Sequence, residues 1–239
     1  MPAVKSNSPR RCTLLLLALA MLLALAAGLA LSVDMPVARR IERGDLPGDL
    51  TRLVRLSEAF AFGGTVAIIL LVAATLDPRG WRVLPRLAAS AFGAGLAADL
   101  VKLLVARMRP AEANLAGAVR ETFLTWLPLW HGDSIERMQL EYGHGLQSFP
   151  SGHTATAVGL AVALATLYPR GGWLFALLAT LAGFQRIQSQ SHFTSDVLAG
   201  AAIGCLVGAV CHELRLAGGW FAKVESASAS RISSAGPQA

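Results

Sequence analysis

Three short polar motifs stand where long apolar segments end, and together they hold the residue types that a phosphate-processing site needs. They are Lys102-(six residues)-Arg109-Pro110, Pro150-Ser151-Gly152-His153 and Arg186-(five residues)-His192-(three residues)-Asp196. Lys and Arg can neutralise phosphate oxygens, and imidazoles beside a carboxylate can serve as nucleophile and acid. The pattern predicts phosphate chemistry at a membrane surface.

The third motif has the strongest local logic. His192 and Asp196 are four residues apart, so we expect the carboxylate to accept a hydrogen bond from one imidazole nitrogen. That bond would fix the tautomer and leave the other nitrogen free to attack. The alternative is a purely structural His-Asp pair, but ionisable groups inside a membrane are costly and usually functional.

The first two motifs are weaker when each is taken alone. Lys102 and Arg109 lie about two helical turns apart and can share a face, although basic residues at span ends also serve as headgroup anchors. Asp99, one turn before Lys102, is a candidate ion-pair partner. Ser151 is a favoured N-cap, and the free N–H groups from Gly152 onward form an anion site beside His153. A plain helix cap with an incidental His is the alternative.

Composition indicates a membrane protein. The chain has 239 residues, of which 54% are hydrophobic and 15% charged, and its mean hydropathy is +0.52. These values are too apolar for an ordinary soluble domain. The net charge of +6 is spread around the apolar segments, so we predict no nucleic-acid partner. The three cysteines lie in or beside apolar segments, which favours buried thiols over disulfides.

The apolar runs predict an all-α fold, a polytopic membrane bundle of about six spans. We place the spans at residues 12–33, 57–76, 84–106, 153–168, 173–190 and 194–212. A cleaved signal peptide is the alternative for the first run. We predict one integral-membrane domain over residues 1–221 and a disordered tail over 222–239. Glycines 200, 204 and 208 predict close approach of a neighbouring helix to the last span.

Two further stripes suggest helices that lie in the membrane interface. The first has Leu46, Leu50, Leu53 and Leu56 at helical spacing, and the second has Val119, Phe123, Trp126, Leu127 and Trp130. Packing against the rest of the protein is an equal alternative for both stripes.

Basic flanks predict the orientation. Lys5, Arg10 and Arg11 precede the first span, and Arg79, Arg82 and Arg86 lie between the second and third. Such clusters favour the cytoplasmic side, although five arginines in the first outer connection depart from the rule. Because six is an even number of spans, both termini then lie on the cytoplasmic side. All three polar motifs then fall on the outer face, and this placement depends only on the basic flanks and the number of spans.

In this order and at span ends, the three motifs resemble the signature of the type 2 phosphatidic acid phosphatase superfamily. The resemblance covers residues 57–212, and the six-span layout is similar to the membrane branch of that family. One position departs from the pattern, because Gln185 precedes Arg186 where the family usually has Ser.

The resemblance implies hydrolysis of a phosphomonoester or pyrophosphate through a phosphohistidine, with no metal and no cofactor. His192 would attack phosphorus, Asp196 would hold and polarise it, and His153 would protonate the leaving oxygen. The remaining motif residues would neutralise the developing charge: Lys102, Arg109, Arg186, Ser151 and the backbone of Gly152.

Three functions follow as hypotheses. The first is a lipid phosphatase at the outer face of a bacterial inner membrane, with a lipid phosphate as its partner. Candidate substrates are undecaprenyl pyrophosphate, phosphatidylglycerol phosphate, phosphatidic acid and a lipid A phosphate. The second is a phosphotransferase that passes the same phosphoryl group to a lipid acceptor. The third is a non-enzymatic anion-binding membrane protein such as a transporter. We expect the motifs to contact only phosphate. They therefore predict neither the lipid headgroup of the substrate nor the oligomeric state of the protein.

Overall fold

The computed structural model describes residues 9–44, 46–126, 143–213 and 216–226. This part of the chain forms α-helices and one short hairpin-like sheet. The helices are α1 (Pro9–Ala30), α2 (Asp34–Glu42), α3 (Gly48–Ser57), α4 (Gly63–Leu76), α5 (Leu84–Lys102), α6 (Gly152–Leu167), α7 (Gly172–Gln188), α8 (Thr194–His212) and α9 (Ala217–Ser226). The strands are β1 (Val105–Arg107) and β2 (Phe123–Trp126). The all-α membrane bundle predicted from the sequence is confirmed, with this small sheet as an addition.

Three helical segments of the described chain are long and apolar enough to cross a bilayer: Arg10–Ala30, Gly80–Lys102 and Thr194–His212. A fourth is possible if the segments Gly48–Phe60 and Gly63–Leu76, bent by 68° from each other, act as one broken span. Helix α6 is apolar but shorter. The count of six spans therefore stays a prediction, and the predicted span 57–76 is replaced by a 14-residue helix after a bend.

Helix α6 lies at the centre of the bundle and packs against α5, α7 and α8, while α1 runs along α8. Its Leu160 is fully buried in a core that also contains Val66, Leu87 and Ala182. On the outward faces large apolar side chains are exposed, as with Met21 and Leu22 of α1. Apolar surface of this kind suits contact with lipid.

The glycine repeat of α8 faces α6, which confirms the predicted close packing. A Cβ on Gly204 would lie 2.7 Å from Val158 Cβ and 2.8 Å from the carbonyl oxygen of Ala155. A Cβ on Gly208 would lie 2.7 Å from Val162 Cγ1. Distances this short exclude a side chain, so glycine sets how closely the two helices approach.

The two predicted interfacial helices have different outcomes. Helix α3 carries exposed Leu50, Leu53 and Leu56 on one side, as an interface-lying helix would. The second prediction is wrong, because residues 123–126 form β2 instead of a helix. Strand β2 pairs antiparallel with β1, with Val105 opposite Trp126 and Arg107 opposite Phe123. Leu127 and Trp130 lie outside the described residues.

Two predicted boundaries are also corrected. Helix α5 ends at Lys102 and not near residue 106, because the chain turns there into β1. Helix α9 continues to Ser226, so residues 222–226 are not part of a disordered tail. Glu225 anchors this helix by accepting hydrogen bonds from Arg86 Nε at 2.7 Å and Nη2 at 3.3 Å. Residues 227–239 lie outside the described part of the chain. The three cysteines are free thiols.

Candidate active site

Every site residue predicted from the sequence lies at one end of the bundle, where α5, α6, α7 and α8 meet. Lys102 ends α5, Ser151 caps α6, Arg186 is in the last turn of α7 and Asp196 is in the first turn of α8. Backbone bonds join the elements: Ser151 N–H donates to the Asp196 carbonyl at 3.0 Å, and His192 N–H donates to that of Arg186 at 3.1 Å. The three motifs come together because the helices that carry them begin or end at this same end of the bundle.

The start of α6 is capped as the sequence predicts. The Ser151 hydroxyl is fully buried, accepts a hydrogen bond from Thr154 Oγ1 at 2.9 Å and accepts a longer one from Thr154 N–H at 3.4 Å. At Gly152 a Cβ would lie 3.3 Å from Lys102 Nζ, so the absence of a side chain leaves the ammonium beside the first helical turn. Lys102 Nζ also bonds Asp99 Oδ1 at 2.9 Å, which confirms the proposed ion pair. An ammonium next to free N–H groups is a favourable place for an anion.

The two arginines of the motifs each have a buried Nε donor. Arg109 Nε and Arg186 Nε make no hydrogen bond to any residue that the structure describes. Burial lowers the pKa of Arg109, and the positive charge of Arg186 lowers it further. Two like charges that act on each other, each with a buried donor, favour the binding of an anion beside them.

His192 is buried, and its ring is oriented by a backbone carbonyl. His192 Nδ1 lies 2.6 Å from the carbonyl oxygen of Ser148. A carbonyl only accepts, so Nδ1 carries the proton and Nε2 keeps a free lone pair. Burial lowers the pKa of His192 well below its ordinary value, and the charge of Arg186 acts in the same direction. The neutral ring is the form that can act as a nucleophile.

The predicted hydrogen bond between Asp196 and His192 is wrong. Asp196 Oδ2 is 3.9 Å from His192 Nδ1, beyond hydrogen-bond range. Instead this oxygen accepts from Ser148 Oγ at 2.6 Å and from Phe193 N–H at 2.8 Å. Asp196 therefore positions His192 indirectly, because it holds the same Ser148 whose carbonyl orients the ring.

Sequence reasoning missed a buried ion network behind Asp196. Arg107 is fully buried and contacts Asp196 through Nη1 and Asp34 Oδ2 through Nη2 at 2.8 Å. Its Nη1 also donates to Ser195 Oγ at 2.7 Å, and Asp34 Oδ1 accepts from Ser195 N–H at 3.0 Å. The rings of Phe123 and Phe193 lie 4.5 and 4.3 Å from the guanidinium carbon. The weak signals in the sequence are a carboxylate right after the first apolar run and an arginine between two motif cations.

The side chains of Lys102, Arg109 and Arg186 supply positive charge that can neutralise phosphate oxygens. In the described residues no group of three or more His, Cys, Asp or Glu side chains is placed to hold a metal ion.

A model of the PAP2 superfamily matches residues 83–219, more than half of the chain. The chain belongs to the PAP2 superfamily. The resemblance stated from the motifs is thereby confirmed. The chain is 32% identical over 111 residues to a lipid A 1-phosphatase of Rhizobium etli, covering 46% of this chain and 40% of that protein. It is 33% identical over 61 residues to the undecaprenyl-diphosphatase BcrC of Bacillus subtilis, covering 26% and 32% of the two chains.

Among solved structures, the chain is similar to a transmembrane PAP2-type phosphatidylglycerolphosphate phosphatase from Bacillus subtilis. The TM-score is 0.50 at 17% identity, covering 82% of this chain and 91% of the other. At this identity the likeness shows the fold alone. The alignment with the Rhizobium etli relative spans about two fifths of that protein's length. The chain is a polytopic helical protein of a bacterial membrane.

Proposed function

We propose that this protein is a lipid phosphatase that hydrolyses a phosphomonoester or pyrophosphate through a phosphohistidine on His192. One observation carries the proposal. The Nδ1–H of His192 is bound to a carbonyl at 2.6 Å, which leaves Nε2 unprotonated, and the charges acting on this ring come from Arg186, Arg109 and Lys102. A free imidazole nitrogen on which three motif cations act suits phosphoryl transfer to histidine.

The proposed reaction has two steps. In the first step Nε2 of His192 forms a bond to phosphorus, the bond to the leaving oxygen breaks, and His153 gives that oxygen its proton. In the second step water gives a proton to His153 and its oxygen bonds to phosphorus, the bond between phosphorus and Nε2 of His192 breaks, and inorganic phosphate leaves. Lys102, Arg109 and Arg186 neutralise the equatorial oxygens in both steps, together with the first N–H groups of α6.

The relatives suggest the class of substrate. Two of the proteins that the chain resembles are named for lipid A 1-phosphate and undecaprenyl diphosphate. We infer that the substrate is a phosphorylated membrane lipid and that the site faces the outer leaflet of the inner membrane. The basic residues before the first span and after the second support this orientation.

Phosphate release by the purified protein tests the proposal. Detergent-solubilised protein would be assayed on lipid A, phosphatidic acid, phosphatidylglycerol phosphate and undecaprenyl diphosphate. We expect phosphate from at least one lipid and a loss of at least about 10³-fold in His192→Ala. His212→Ala is the matched control, because His212 lies at the opposite end of α8 and its ring nitrogens form no hydrogen bond with the described part of the chain.

Each other outcome has a distinct meaning. Activity of His192→Ala within about tenfold of wild type would contradict the assigned nucleophile. Transfer of the phosphoryl group to an added lipid alcohol, with little free phosphate, would favour the phosphotransferase. Binding of phosphate lipids without any turnover would favour the non-enzymatic anion-binding protein.

A further inference from the structure

Besides Asp99, which pairs with Lys102, a second acidic side chain from outside the three motifs contacts one of the motif cations. Glu58 follows α3, in the turn Glu58–Phe60 before the bend into α4. Its Oε1 lies 2.6 Å from Arg186 Nη1, and its side chain is 39% exposed where that of Arg186 is 10% exposed. The carboxylate is therefore the more solvent-exposed partner of this ion pair.

Gln185 holds this carboxylate in place. Its Nε2 donates to Glu58 Oε2 at 3.2 Å, and its Oε1 accepts from Arg186 Nη1 at 3.2 Å. Gln185 is also the residue that departs from the Ser usual in the family at this position. A serine has one short hydroxyl and no amide, so it could not bridge both groups in this way. Gln185, at the position where Ser is usual, and Glu58 are therefore parts of one hydrogen-bonded group with Arg186.

Glu58 lies beside the place proposed for the transferred phosphate. Its ion-pair partner Arg186 is one of the three cations that we assign to that phosphate. Because the carboxylate is more exposed than Arg186, a group next to the bound phosphate can reach it. The carboxylate then meets the headgroup and not only the phosphate being transferred.

We propose that Glu58, held by Gln185, is a specificity-determining residue that favours phosphomonoesters of hydroxyl- or amide-bearing headgroups over diphosphates. The inference rests on the proposed lipid phosphatase function. A carboxylate accepts hydrogen bonds from hydroxyl or amide N–H groups of a sugar or polyol. It repels the second phosphate of a diphosphate, which would occupy the same place. The substrate class is therefore a lipid-linked sugar or polyol monophosphate.

Substitution of Glu58 by Gln tests this by removing the charge while keeping the shape. The measured quantity is the ratio of kcat/KM for undecaprenyl diphosphate to kcat/KM for lipid A. We expect Glu58→Gln to raise this ratio about fivefold or more, as for one half-exposed charge near a phosphate. Gln185→Ser should shift it in the same direction by less. Asp49→Asn is the matched control, since it removes one exposed carboxylate from α3, and should leave the ratio unchanged.

An unchanged ratio in Glu58→Gln, with the wild type active, would overturn the inference and leave the proposed function standing. Absence of phosphate release from every lipid would instead count against the proposed function. Calorimetric binding of inorganic pyrophosphate and phosphate tests the inference independently of turnover. Glu58→Gln should tighten pyrophosphate binding more than phosphate binding, and an equal change for the two ions would overturn it.

Discussion

Replacement of Arg107 by Met should damage both the stability and the reaction of this protein. Arg107 is the shared cation of Asp34 and Asp196, and all three side chains are fully buried. Removing one partner of a buried ion pair costs about 3–5 kcal/mol, and here two carboxylates lose the same partner. We therefore expect a loss of unfolding free energy near the upper end, about 4–5 kcal/mol.

Thermal unfolding in detergent, followed by tryptophan fluorescence, measures this loss. For a chain of this size about 1 kcal/mol corresponds to roughly 2–4 °C in Tm, so we expect Tm to fall by roughly 8–20 °C. The variant Asp34→Asn should be milder, because Arg107 still neutralises Asp196. Arg120→Met is the matched control, since Arg120 is exposed beside the same sheet, and should change the stability by less than about 0.5 kcal/mol.

Activity well below the Tm tests the positioning role. Arg107 holds Asp196, Asp196 holds the Ser148 hydroxyl, and the Ser148 carbonyl orients His192. Loss of Arg107 should loosen these successive contacts and lower kcat by about tenfold or more. KM should change little, because no group that we assign to phosphate binding is removed. A variant with a wild-type kcat and a Tm within about 2 °C of wild type would refute the reasoning.

Three further predictions concern protonation, metals and topology. Burial and the Arg186 charge hold the pKa of His192 well below its ordinary value of about 6.5, so the proposed nucleophile stays neutral at the pH where a free imidazole gains a proton, and kcat/KM should show no acidic limb there. An NMR titration in which His192 takes up its proton at about 6.5 would contradict this. EDTA should leave phosphate release nearly intact, whereas vanadate should inhibit, and loss restored by Mg²⁺ would contradict a site whose cations are side chains. In a cysteine-free background, a cysteine at Asn114 should react with a membrane-impermeant thiol reagent in spheroplasts and one at Gly80 should not; the reverse labelling would place the site on the cytoplasmic side.

Much of the helical framework could be predicted from local patterns. Two predictions, a long first helix from the uncharged run and close packing at the glycines of α8, depend only on residues close in the sequence. Both agree with the structure. The stripe from Val119 to Trp126 could not be decided in this way. Its apolar side chains suit a helix face or a strand, and the pairing of β2 with β1 decided the outcome.

The motif residues could be found from the sequence, but the contacts that orient them could not. The spacing of His192 and Asp196 suggested a direct bond, whereas Nδ1 is bound to a carbonyl 44 residues earlier in the chain. Likewise, Arg107 bonds Asp34 across 73 positions and Asp196 across 89. Periodicity and local spacing carry no information about partners so far apart, because such contacts depend on the packed arrangement of the helices.

Through the network around Arg107, the first two helices, α1 and α2, help to position the residues of the site. Asp34 begins α2, directly after the turn that follows α1, and lies outside the region 83–219 that the family model matches. Even so, its two carboxylate oxygens bind Arg107 and both the N–H and the hydroxyl of Ser195. Ser195 adjoins Asp196 in the first turn of α8, and α1 packs along the same helix.

Since Asp196 and Ser148 together orient His192, the position of the proposed nucleophile depends on how α1 and α2 pack against α8. Changes at the α1–α8 contact should therefore lower kcat before they affect phosphate binding, because the three cations proposed to bind phosphate are carried by other elements.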